Sequence, residues 1–482
     1  MFGPSRAPEI NRPGLQWFNT EKPLSLSDLK GRLVILDFWT FCCINCMHIL
    51  PILRQVEEAF PDEVAVIGVH SPKFAAERKA ANVEQAIQRY DVRHPVVHDP
   101  YMSIWEDYAV RAWPTMVFVS PDGRVIGQTS GEPSPEALMA GIAEMLRQFR
   151  EDGTIHPGQP FLAQPSLPDK KLLFPGKIKS AGDGQWLVAD AGHHQIVLFD
   201  DSGNELRRWG SGQAGLIDGD AERASFHSPQ GLAADDRFIW VADTGNHALR
   251  RIERASGAVA TIAGNGGRGP ILRAPEPAQG SQLASPWDIE LANGNVYIAN
   301  AGTHQLAVYH PANDLLAVAA GTGAENLRDG PATHALLAQP SGLALQGNSL
   351  YFADSETSAI RRLDLAEGDV ETLVGQGLFD FGAEDGPFEG ALLQHALGLA
   401  IDEDGSILVA DSYNGLIRRL DPTSRQATTI DIGACRDAVC LPAAEPAGIA
   451  FAGPGRLLLS DTNNHRILEI NLKSGTYGRW SK

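Results

Sequence analysis

The chain has 482 residues, of which 43% are hydrophobic and 21% charged, a composition typical of folded proteins. This length exceeds what one hydrophobic core usually supports, so we expect at least two domains. The formal net charge of −19 disfavours binding to nucleic acid or to an anionic membrane surface.

The cysteine content and the first residues predict the compartment. Five cysteines among 482 residues are too few for a disulfide scaffold. Residues Met1–Pro8 contain no apolar segment of the kind that directs export. Apolar runs also stay short of the roughly 18 residues that a membrane-spanning helix needs. Together these features predict a cytoplasmic protein with no membrane partner.

The first clear elements flank a Cys-x-x-Cys pair. Leu33–Trp39 is a continuous apolar run and predicts a buried strand, and the segment from Cys43 to about Phe60 has apolar residues at helical spacing. Cys43 therefore lies at a helix N-terminus, where unpaired N–H groups and the helix dipole favour a thiolate. Cys46 follows on the same helix face, close enough to form a disulfide with it. This arrangement favours two-electron thiol chemistry.

The rest of residues 1–150 alternates strand and helix patterns. Strands are predicted at 64–70, 96–97, 116–119 and 125–127, and helices at 83–90, 103–108 and 135–149. Such alternation predicts an α/β layered domain over residues 1–150. Residues 151–170 contain four prolines and little periodicity, which is typical of a linker.

Residues 171–482 consist of repeats. Six segments share the frame of Val188–Ile196, which has an Asp or Asn at its third position. The aligned positions are Asp190, Asp243, Asn300, Asp354, Asp411 and Asp461. Each repeat offers four short strands, which is the content of one propeller blade. We therefore predict a six-bladed β-propeller over residues 171–482, in which the first and last repeats each supply four strands.

The N-terminal segment resembles the thioredoxin superfamily beyond its two cysteines. Asp37 lies six residues before Cys43, where thioredoxins keep a buried acidic group that assists proton transfer at the second cysteine. Pro51 lies five residues after Cys46 and matches the proline that bends the active-site helix. Pro114 stands where the family has its cis-proline beside the disulfide. The resemblance implies that Asp37 accepts a proton and that Pro114 docks a substrate strand.

The residues around the cysteine pair depart from the thioredoxin pattern. Thioredoxins usually have Trp before the first cysteine and Gly-Pro between the two. Here Cys42 takes the Trp position, and Ile44-Asn45 replace Gly-Pro. Because these positions tune thiol pKa and redox poise, the direction of electron flow stays open. Cys42 either fills the space of the missing Trp or acts as a third redox thiol.

The repeats resemble NHL repeats, and their fusion to a thioredoxin-like domain resembles the NHL-repeat-containing protein 2 family. The resemblance covers nearly the whole chain and includes the run Phe-Cys-Cys-Ile-Asn-Cys-Met at 41–47. It implies an α/β thioredoxin-like domain followed by an all-β six-bladed NHL β-propeller. The family is known more for this architecture than for a settled substrate.

Two functional hypotheses follow for the cysteine pair. In the first, the protein is a thiol–disulfide oxidoreductase in which Cys43 attacks a protein disulfide and Cys46 resolves the mixed disulfide. The propeller and the thioredoxin groove would then recruit or position the protein substrate. In the second, the propeller is a scaffold for protein partners, and the thioredoxin domain is structural or a redox sensor. Neither hypothesis requires a cofactor.

Two other groupings of cysteines have alternative interpretations. A metal site at Cys42, Cys43, Cys46 and His48 is disfavoured, because adjacent cysteines at a helix start converge poorly on a tetrahedral ion. Cys435 and Cys440 could form a local disulfide, but a reducing cytoplasm favours two free thiols.

Recurring polar residues of the propeller are interpreted as structural. His194, His247, His304 and His465 share one repeat position. We expect each of them to satisfy hydrogen bonds within its own blade. The aligned Asp residues are expected to stabilise turns. Paired arginines are the best local argument for an RNA-binding face, although the acidic charge and the lack of interleaved aromatic residues oppose it. These pairs are Arg250-Arg251, Arg361-Arg362 and Arg418-Arg419.

Overall fold

A computed structural model of the chain describes residues 5–163, 166–437 and 441–481. The chain divides into two compact units, Met1–Pro168 and Asp169–Lys482. Within the described ranges, every helix is too short or too polar to span a bilayer.

The first unit is built on one six-stranded sheet. Its strands are β1 (Gln16–Phe18), β2 (Leu33–Trp39), β3 (Val64–His70), β4 (Val96–His98), β5 (Thr115–Val119) and β6 (Val125–Ser130). Its α-helices are α1 (Ile44–Ala59), α2 (Ala80–Arg89), α3 (Ser103–Asp107) and α4 (Pro135–Glu151), with a 3₁₀ turn at Ala75–Arg78. The strand order is β1-β4-β3-β2-β5-β6, with β2, β3 and β4 parallel and the other pairings antiparallel. The predicted α/β thioredoxin-like fold is confirmed.

The central strand β2 is buried on both sides of the sheet. Leu33 and Ile35 pack with α1 and α4 in one apolar cluster, whereas Val34 and Leu36 belong to the cluster on the opposite face. Because side chains alternate along a strand, Asp37 points to the same face as Leu33 and Ile35. That face carries α1, so Asp37 is placed beneath the helix of the cysteine pair.

The second unit is a propeller of six blades, each an antiparallel sheet of four strands from one continuous segment. Blades 1 and 2 contain Pro175–Gly182, Gln185–Asp190, Gln195–Phe199 and Glu205–Trp209, then Gly231–Ala234, Phe238–Asp243, Ala248–Glu253 and Val259–Ala263. Blades 3 and 4 contain Pro286–Ala292, Asn295–Asn300, Gln305–His310 and Leu315–Ala320, then Pro340–Gln346, Ser349–Asp354, Ala359–Asp364 and Asp369–Val374. Blades 5 and 6 contain Gly398–Ile401, Ile407–Asp411, Leu416–Asp421 and Gln426–Thr429, then Pro446–Phe451, Arg456–Asp461, Arg466–Asn471 and Thr476–Arg479. The six-bladed prediction is confirmed.

Short elements complete the blades. Two-residue strands are added at the outer edges of blades 3 to 6 at Glu276–Pro277, Gly330–Pro331, Gly386–Pro387 and Ala434–Cys435. A 3₁₀ turn follows the second strand of five blades at Ala191–His193, Thr244–Asn246, Ala301–Thr303, Ser355–Thr357 and Thr462–Asn464.

The recurring histidines bond to the next blade, so the expectation of bonds within one blade is wrong. Each follows a 3₁₀ turn with a positive φ of 50–56° and accepts a backbone N–H through Nδ1. The pairs, written from acceptor to donor, are His194 with Ser228, His247 with Ser285, His304 with Gln339 and His465 with Phe174. The left-handed backbone turns each ring outward from its own sheet. These histidines are therefore contacts between neighbouring blades.

The aligned Asp and Asn residues are structural, as predicted. Each accepts a backbone N–H from the loop that leads into its own blade, at 2.7–2.8 Å. Asp190, for example, binds the N–H of Leu173.

The ring closes without exchange of a strand between the first and last blades. Besides the bond from Phe174 to His465, Thr462 Oγ1 donates to the carbonyl of Pro175 at 2.8 Å. Arg456 of blade 6 also forms an ion pair with Asp201 of blade 1 at 2.6 Å. Side-chain hydrogen bonds and apolar packing thus close the propeller.

Two lysines of the innermost strand of blade 1 reach across the propeller. Lys177 Nζ donates to the carbonyls of Leu397 and Ala447, which border blades 5 and 6, at 2.6 and 3.0 Å. Lys179 Nζ donates to the carbonyl of Leu343 in blade 4 at 2.9 Å and to Glu290 in blade 3 at 3.3 Å. Both side chains therefore cross the centre of the ring.

The first arginine of each doublet is buried rather than displayed. Arg250 is fully buried and bridges Asp243 and Asp218 at 2.8 and 2.9 Å. The same bridges join Arg361 to Asp354 and Asp329, and Arg418 to Asp411 and Asp385. The doublets therefore do not present paired cations to a nucleic acid.

Cys435 is disulfide-bonded, so the expectation of a free thiol there is wrong. Cys440, the other cysteine of that segment, lies outside the described residues.

Candidate active site

The cysteine pair lies where β2 passes into α1. Cys43 is the N-cap residue of α1, with φ −81° and ψ 112°. Its carbonyl accepts the N–H groups of Cys46 and Met47 at 3.0 and 3.2 Å, which starts the helix. This places Cys43 at the helix N-terminus, as predicted from the strand and helix patterns.

The two sulfur atoms differ in their access to solvent. Cys43 is half-buried, whereas Cys46 is only 1% exposed. Both thiols are free, and they lie three residues apart at the start of α1. Burial, first, and then contact with Cys43 and the charge of Asp37 raise the pKa of Cys46 well above its ordinary value. The sulfur of Cys43 is therefore accessible to a substrate, whereas Cys46 needs a base that removes its proton.

Asp37 is suited to be that base. It is fully buried, and neither carboxylate oxygen has a hydrogen-bond partner within the described part of the chain. Burial raises the pKa of Asp37 to about 7, with a further rise from Glu57 and an opposing effect of His94. A buried carboxylate with such a pKa is ionised in part at neutral pH and can accept a proton.

Pro114 lies at the start of β5, beside the end of β2. The Trp113–Pro114 peptide bond is cis. Thr115 pairs with Phe38 in the antiparallel ladder between the two strands, so the proline is at the end of the sheet where the cysteines begin. The carbonyl of Pro114 accepts the N–H of Gly131 at 2.9 Å, which fixes the adjoining loop.

Cys42 is directed into the protein. It is 4% exposed, and its Sγ lies 3.9 Å from Thr40 Oγ1. Its backbone N–H donates to Glu77 Oε1 at 2.9 Å. This placement agrees with a space-filling role for the side chain at the Trp position.

Glu77 is a buried residue of the site that sequence reasoning missed. Its Oε1 accepts bonds from Thr40 Oγ1 at 2.6 Å and from the Cys42 N–H. Its Oε2 accepts the N–H groups of Lys73 and Phe74, both at 2.9 Å. One carboxylate thus holds the loop before Cys43 against the loop after β3. The segment Ala-Ala-Glu-Arg around it reads as an ordinary surface turn, so the sequence carried no signal.

Glu57 and His94 were also missed. Both are buried, and His94 Nδ1 lies 3.3 Å from Glu57 Oε1. A signal existed for Glu57, because it stands four residues after Leu53 on the apolar face of the helix. A carboxylate on such a face requires a partner or an altered pKa.

The metal interpretation of the cysteines gains no support from geometry. Among the described residues, no group of three or more His, Cys, Asp or Glu side chains is arranged to hold a metal ion. His48 instead places Nδ1 3.1 Å from Glu132 Oε2.

Comparison with known proteins agrees with this geometry. A family model described as thioredoxin-like matches residues 31–125, and the NHL repeat model matches residues 226–252. NHL repeat-containing protein 2 of Gallus gallus is 37% identical over 510 residues, which cover 97% of this chain and 70% of the chicken protein. This chain belongs to the NHL repeat-containing protein 2 family.

Two other relatives differ from this chain in extent. One is longer than this chain, and the other matches only part of it. Protein SUPPRESSOR OF QUENCHING 1, chloroplastic, of Arabidopsis thaliana is 39% identical over 488 residues. The match covers 96% of this chain but 46% of the plant protein, so the chain spans less than half of that relative. Thiol-disulfide oxidoreductase ResA of Bacillus cereus (strain ZK / E33L) is 29% identical over 117 residues, which are 24% of this chain and 65% of ResA.

Proposed function

We propose that this protein is a thiol–disulfide oxidoreductase that acts on protein disulfides. The observation that carries the proposal is the pairing of a half-buried Cys43 at a helix N-terminus with a buried Cys46 three residues further along the same helix. The first thiol can reach a substrate, and the second is protected until a mixed disulfide forms. The relative named thiol-disulfide oxidoreductase ResA supports the same chemistry.

The reaction has two exchange steps. In the first, the Cys43 thiolate attacks a substrate disulfide, forms a mixed disulfide and releases one substrate thiolate. In the second, Asp37 takes the proton of Cys46, and the resulting thiolate attacks Cys43 Sγ. The Cys43–Cys46 disulfide forms and the second substrate thiolate leaves, so two electrons pass to the substrate. The reversed steps would oxidise a substrate dithiol.

Pro114 and the propeller are proposed to handle the substrate. Pro114 lies at the end of the sheet where the half-buried Cys43 lies, which suits a docking point for an extended substrate strand. We assign the recruitment of a protein partner to the propeller, a fold that commonly serves as a platform for protein interactions. A cytoplasmic location is part of the same proposal.

A disulfide reduction assay tests the activity. The full chain, supplied with dithiothreitol, should accelerate the reduction of insulin, and Cys43→Ser should abolish the acceleration. Equal rates for the two proteins would contradict the proposal and favour a scaffold. Cys46→Ala should trap substrates on Cys43 in cells as mixed disulfides that mass spectrometry identifies.

A further inference from the structure

Behind the cysteine pair lies a buried group of titratable side chains that the two exchange steps do not fully use. Asp37, Glu57 and His94 are 0%, 7% and 3% exposed. Of these, only Asp37 takes part in the proposed reaction. A proton that reaches a fully buried carboxylate must also leave it before the next cycle, and the structure suggests the route.

The His94 ring occupies the space beside Asp37. Asp37 pairs with Gly68 in the parallel ladder between β2 and β3, so a side chain at 68 would lie next to the carboxylate. A Cβ at Gly68 would come within 3.3 Å of His94 Nε2 and 3.0 Å of Trp39 Nε1. Glycine at this position therefore makes room for the imidazole where a cross-strand neighbour of Asp37 would otherwise stand.

Several polar atoms of this group have no hydrogen-bond partner among the described residues. They are both oxygens of Asp37, Nε2 of His94 and Oε1 of Glu57. Polar groups buried without protein partners carry a cost and require an explanation, of which a catalytic role is one. The opposite ring nitrogen, His94 Nδ1, faces Glu57 Oε1 at 3.3 Å. The imidazole thus has one nitrogen close to Gly68, the cross-strand neighbour of Asp37, and the other close to a second carboxylate.

The titratable side chains behind the cysteine pair interact electrostatically with one another. Cys46 and Glu57 from α1 and His94 from the loop before β4 all interact electrostatically with Asp37. Arg93 interacts in turn with Glu57. The Asp37 carboxylate is therefore coupled to the cysteine pair on one side and to the imidazole on the other.

Glu57 connects this buried set of side chains to the surface. It lines a surface pocket with Pro61, Val64, Phe161 and Leu162. Glu57 is eleven residues beyond Cys46, which is about 16 Å along the α1 axis. The Glu57 end of the pocket therefore lies far along α1 from the sulfur atoms.

We propose that His94 and Glu57 carry the proton of Asp37 to the surface. This relay deepens the proposed oxidoreductase function and rests on it. After Cys46 has given its proton to Asp37, the carboxylic acid passes that proton through one bridging water molecule to Nε2 of His94. The imidazolium is stabilised by the Glu57 carboxylate and releases the proton to solvent through the pocket, which regenerates the Asp37 carboxylate. Both residues are positioning residues, since neither touches the sulfur atoms.

A single-turnover assay with the Ellman disulfide tests the relay in the full chain carrying Cys42→Ser. Attack by Cys43 releases one thionitrobenzoate, and attack by Cys46 on the mixed disulfide releases a second. Each phase is timed by its absorbance across pH. The second phase should accelerate with pH around the Asp37 pKa of about 7.

Substitutions of His94 and Glu57 should shift the pH midpoint of the second phase in opposite directions. His94→Gln removes an imidazole that lowers the pKa of Asp37, so the pH midpoint of the second phase should rise by about one pH unit, with a rate about tenfold lower at neutral pH. Glu57→Gln removes a like charge, so the midpoint should fall. Glu58→Gln, the exposed neighbour on the same helix, is the matched control and should leave the midpoint unchanged. The first phase should stay the same in all four proteins.

The outcomes separate this inference from the function on which it rests. Absence of either phase in the starting protein would contradict the oxidoreductase itself. Two normal phases with an unmoved midpoint in His94→Gln, or with both variants shifted in the same direction, would overturn the relay and leave the function standing. If a variant fails to fold, NMR titration of His94 in the starting protein replaces it. The ring signals of His94 should respond to the ionisation of Asp37, so their pH dependence should differ in Asp37→Asn, and identical curves in the two proteins contradict the relay.

Discussion

The backbone N–H of Phe174, at the entrance to blade 1, donates a 3.1 Å hydrogen bond to Nδ1 of His465 in blade 6. Phe174 is 2% exposed, so this N–H has no access to water if the imidazole is removed. The same bond recurs at three other blade boundaries, which makes the closing contact equivalent to the others. A histidine side chain therefore contributes to the closure of the ring, for which many propellers use a shared strand.

Replacement of His465 by alanine should destabilise the propeller. A buried donor left without an acceptor costs about 1–3 kcal/mol. We expect the free energy of unfolding, measured by urea denaturation of the full chain, to fall by that amount. His334→Ala is the control, because His334 is exposed. Equal stability of the two variants would show that the bond contributes nothing.

Acid should weaken the contact that His194 makes with blade 2. Burial, with smaller effects of His227 and His193, lowers the pKa of His194 to about 4 from its ordinary 6.5. Between these values the unfolded chain binds more protons, so stability falls as pH decreases from 6.5 to 4. The loss should be about 2–3 kcal/mol.

His194→Gln isolates this effect, because its amide oxygen can still accept the N–H of Ser228 but does not titrate. Asp243 and Asp411, whose pKa values burial raises to about 6, titrate in both proteins and cancel in the comparison. The unfolding free energy of the variant should therefore decrease less on acidification than that of the unchanged protein. Parallel curves would contradict the prediction.

The two arginines of one doublet should differ in their importance. Arg250→Ala leaves the buried carboxylate of Asp243 without its cation, which typically costs about 3–5 kcal/mol. Arg251→Ala removes an arginine that lies over the rings of Phe238 and Trp240, a contact worth about 1 kcal/mol. Thermal unfolding of the two variants compares them directly. A loss at 251 that equals the loss at 250 would refute the structural assignment.

Glu77 should control the loop that carries the reactive cysteine. Glu77→Gln converts one acceptor oxygen into a donor, so at least one of the four bonds that hold Thr40, Cys42, Lys73 and Phe74 is lost. We expect a loss of about 1–3 kcal/mol in stability and an altered rate of Cys43 alkylation by iodoacetamide. The exposed Glu84 provides the matched control, Glu84→Gln. An unchanged rate of Cys43 alkylation in both variants would show that Glu77 does not influence the reactive cysteine.

Asp37→Asn should slow the second exchange step. Without a proton acceptor, attack by Cys46 at neutral pH should be about a hundredfold slower, the usual contribution of a positioned base. The rate should then rise only at alkaline pH, where the buried thiol itself ionises, since its pKa is raised. Time-resolved release of thionitrobenzoate measures the step, and Asp62→Asn is the exposed control. A hundredfold loss in the first step as well would indicate general damage to the site.

The sequence alone predicted those parts of the structure that follow from periodicity or from residue spacings shared with a family. The apolar run of β2, the helix after Cys43 and the six aligned Asp or Asn positions each appear as local patterns. Strand β1 was missed, because three residues of mixed polarity give no periodic signal. The repeat position of His194 was clear, but periodicity within a chain does not tell which blade the ring contacts.

The supporting residues of the candidate site were beyond sequence reasoning for a related reason. Glu77 and His94 come from separate segments that the fold brings to the cysteine loop and to Asp37. Their importance depends on burial and on the direction of single hydrogen bonds, which no local pattern specifies. Glu57 was the exception, since an acidic residue on an apolar helix face is visible in the sequence.

Lys177 and Lys179 have a consequence for recognition. Their ammonium groups extend from blade 1 to the backbone and carboxylates of blades 3 to 6, so the axis of the disc is filled by the protein's own side chains. A small molecule or peptide cannot thread through this axis without displacing a buried cation from its carbonyl ligands. Any partner of the propeller must therefore engage one of its faces or its outer edge.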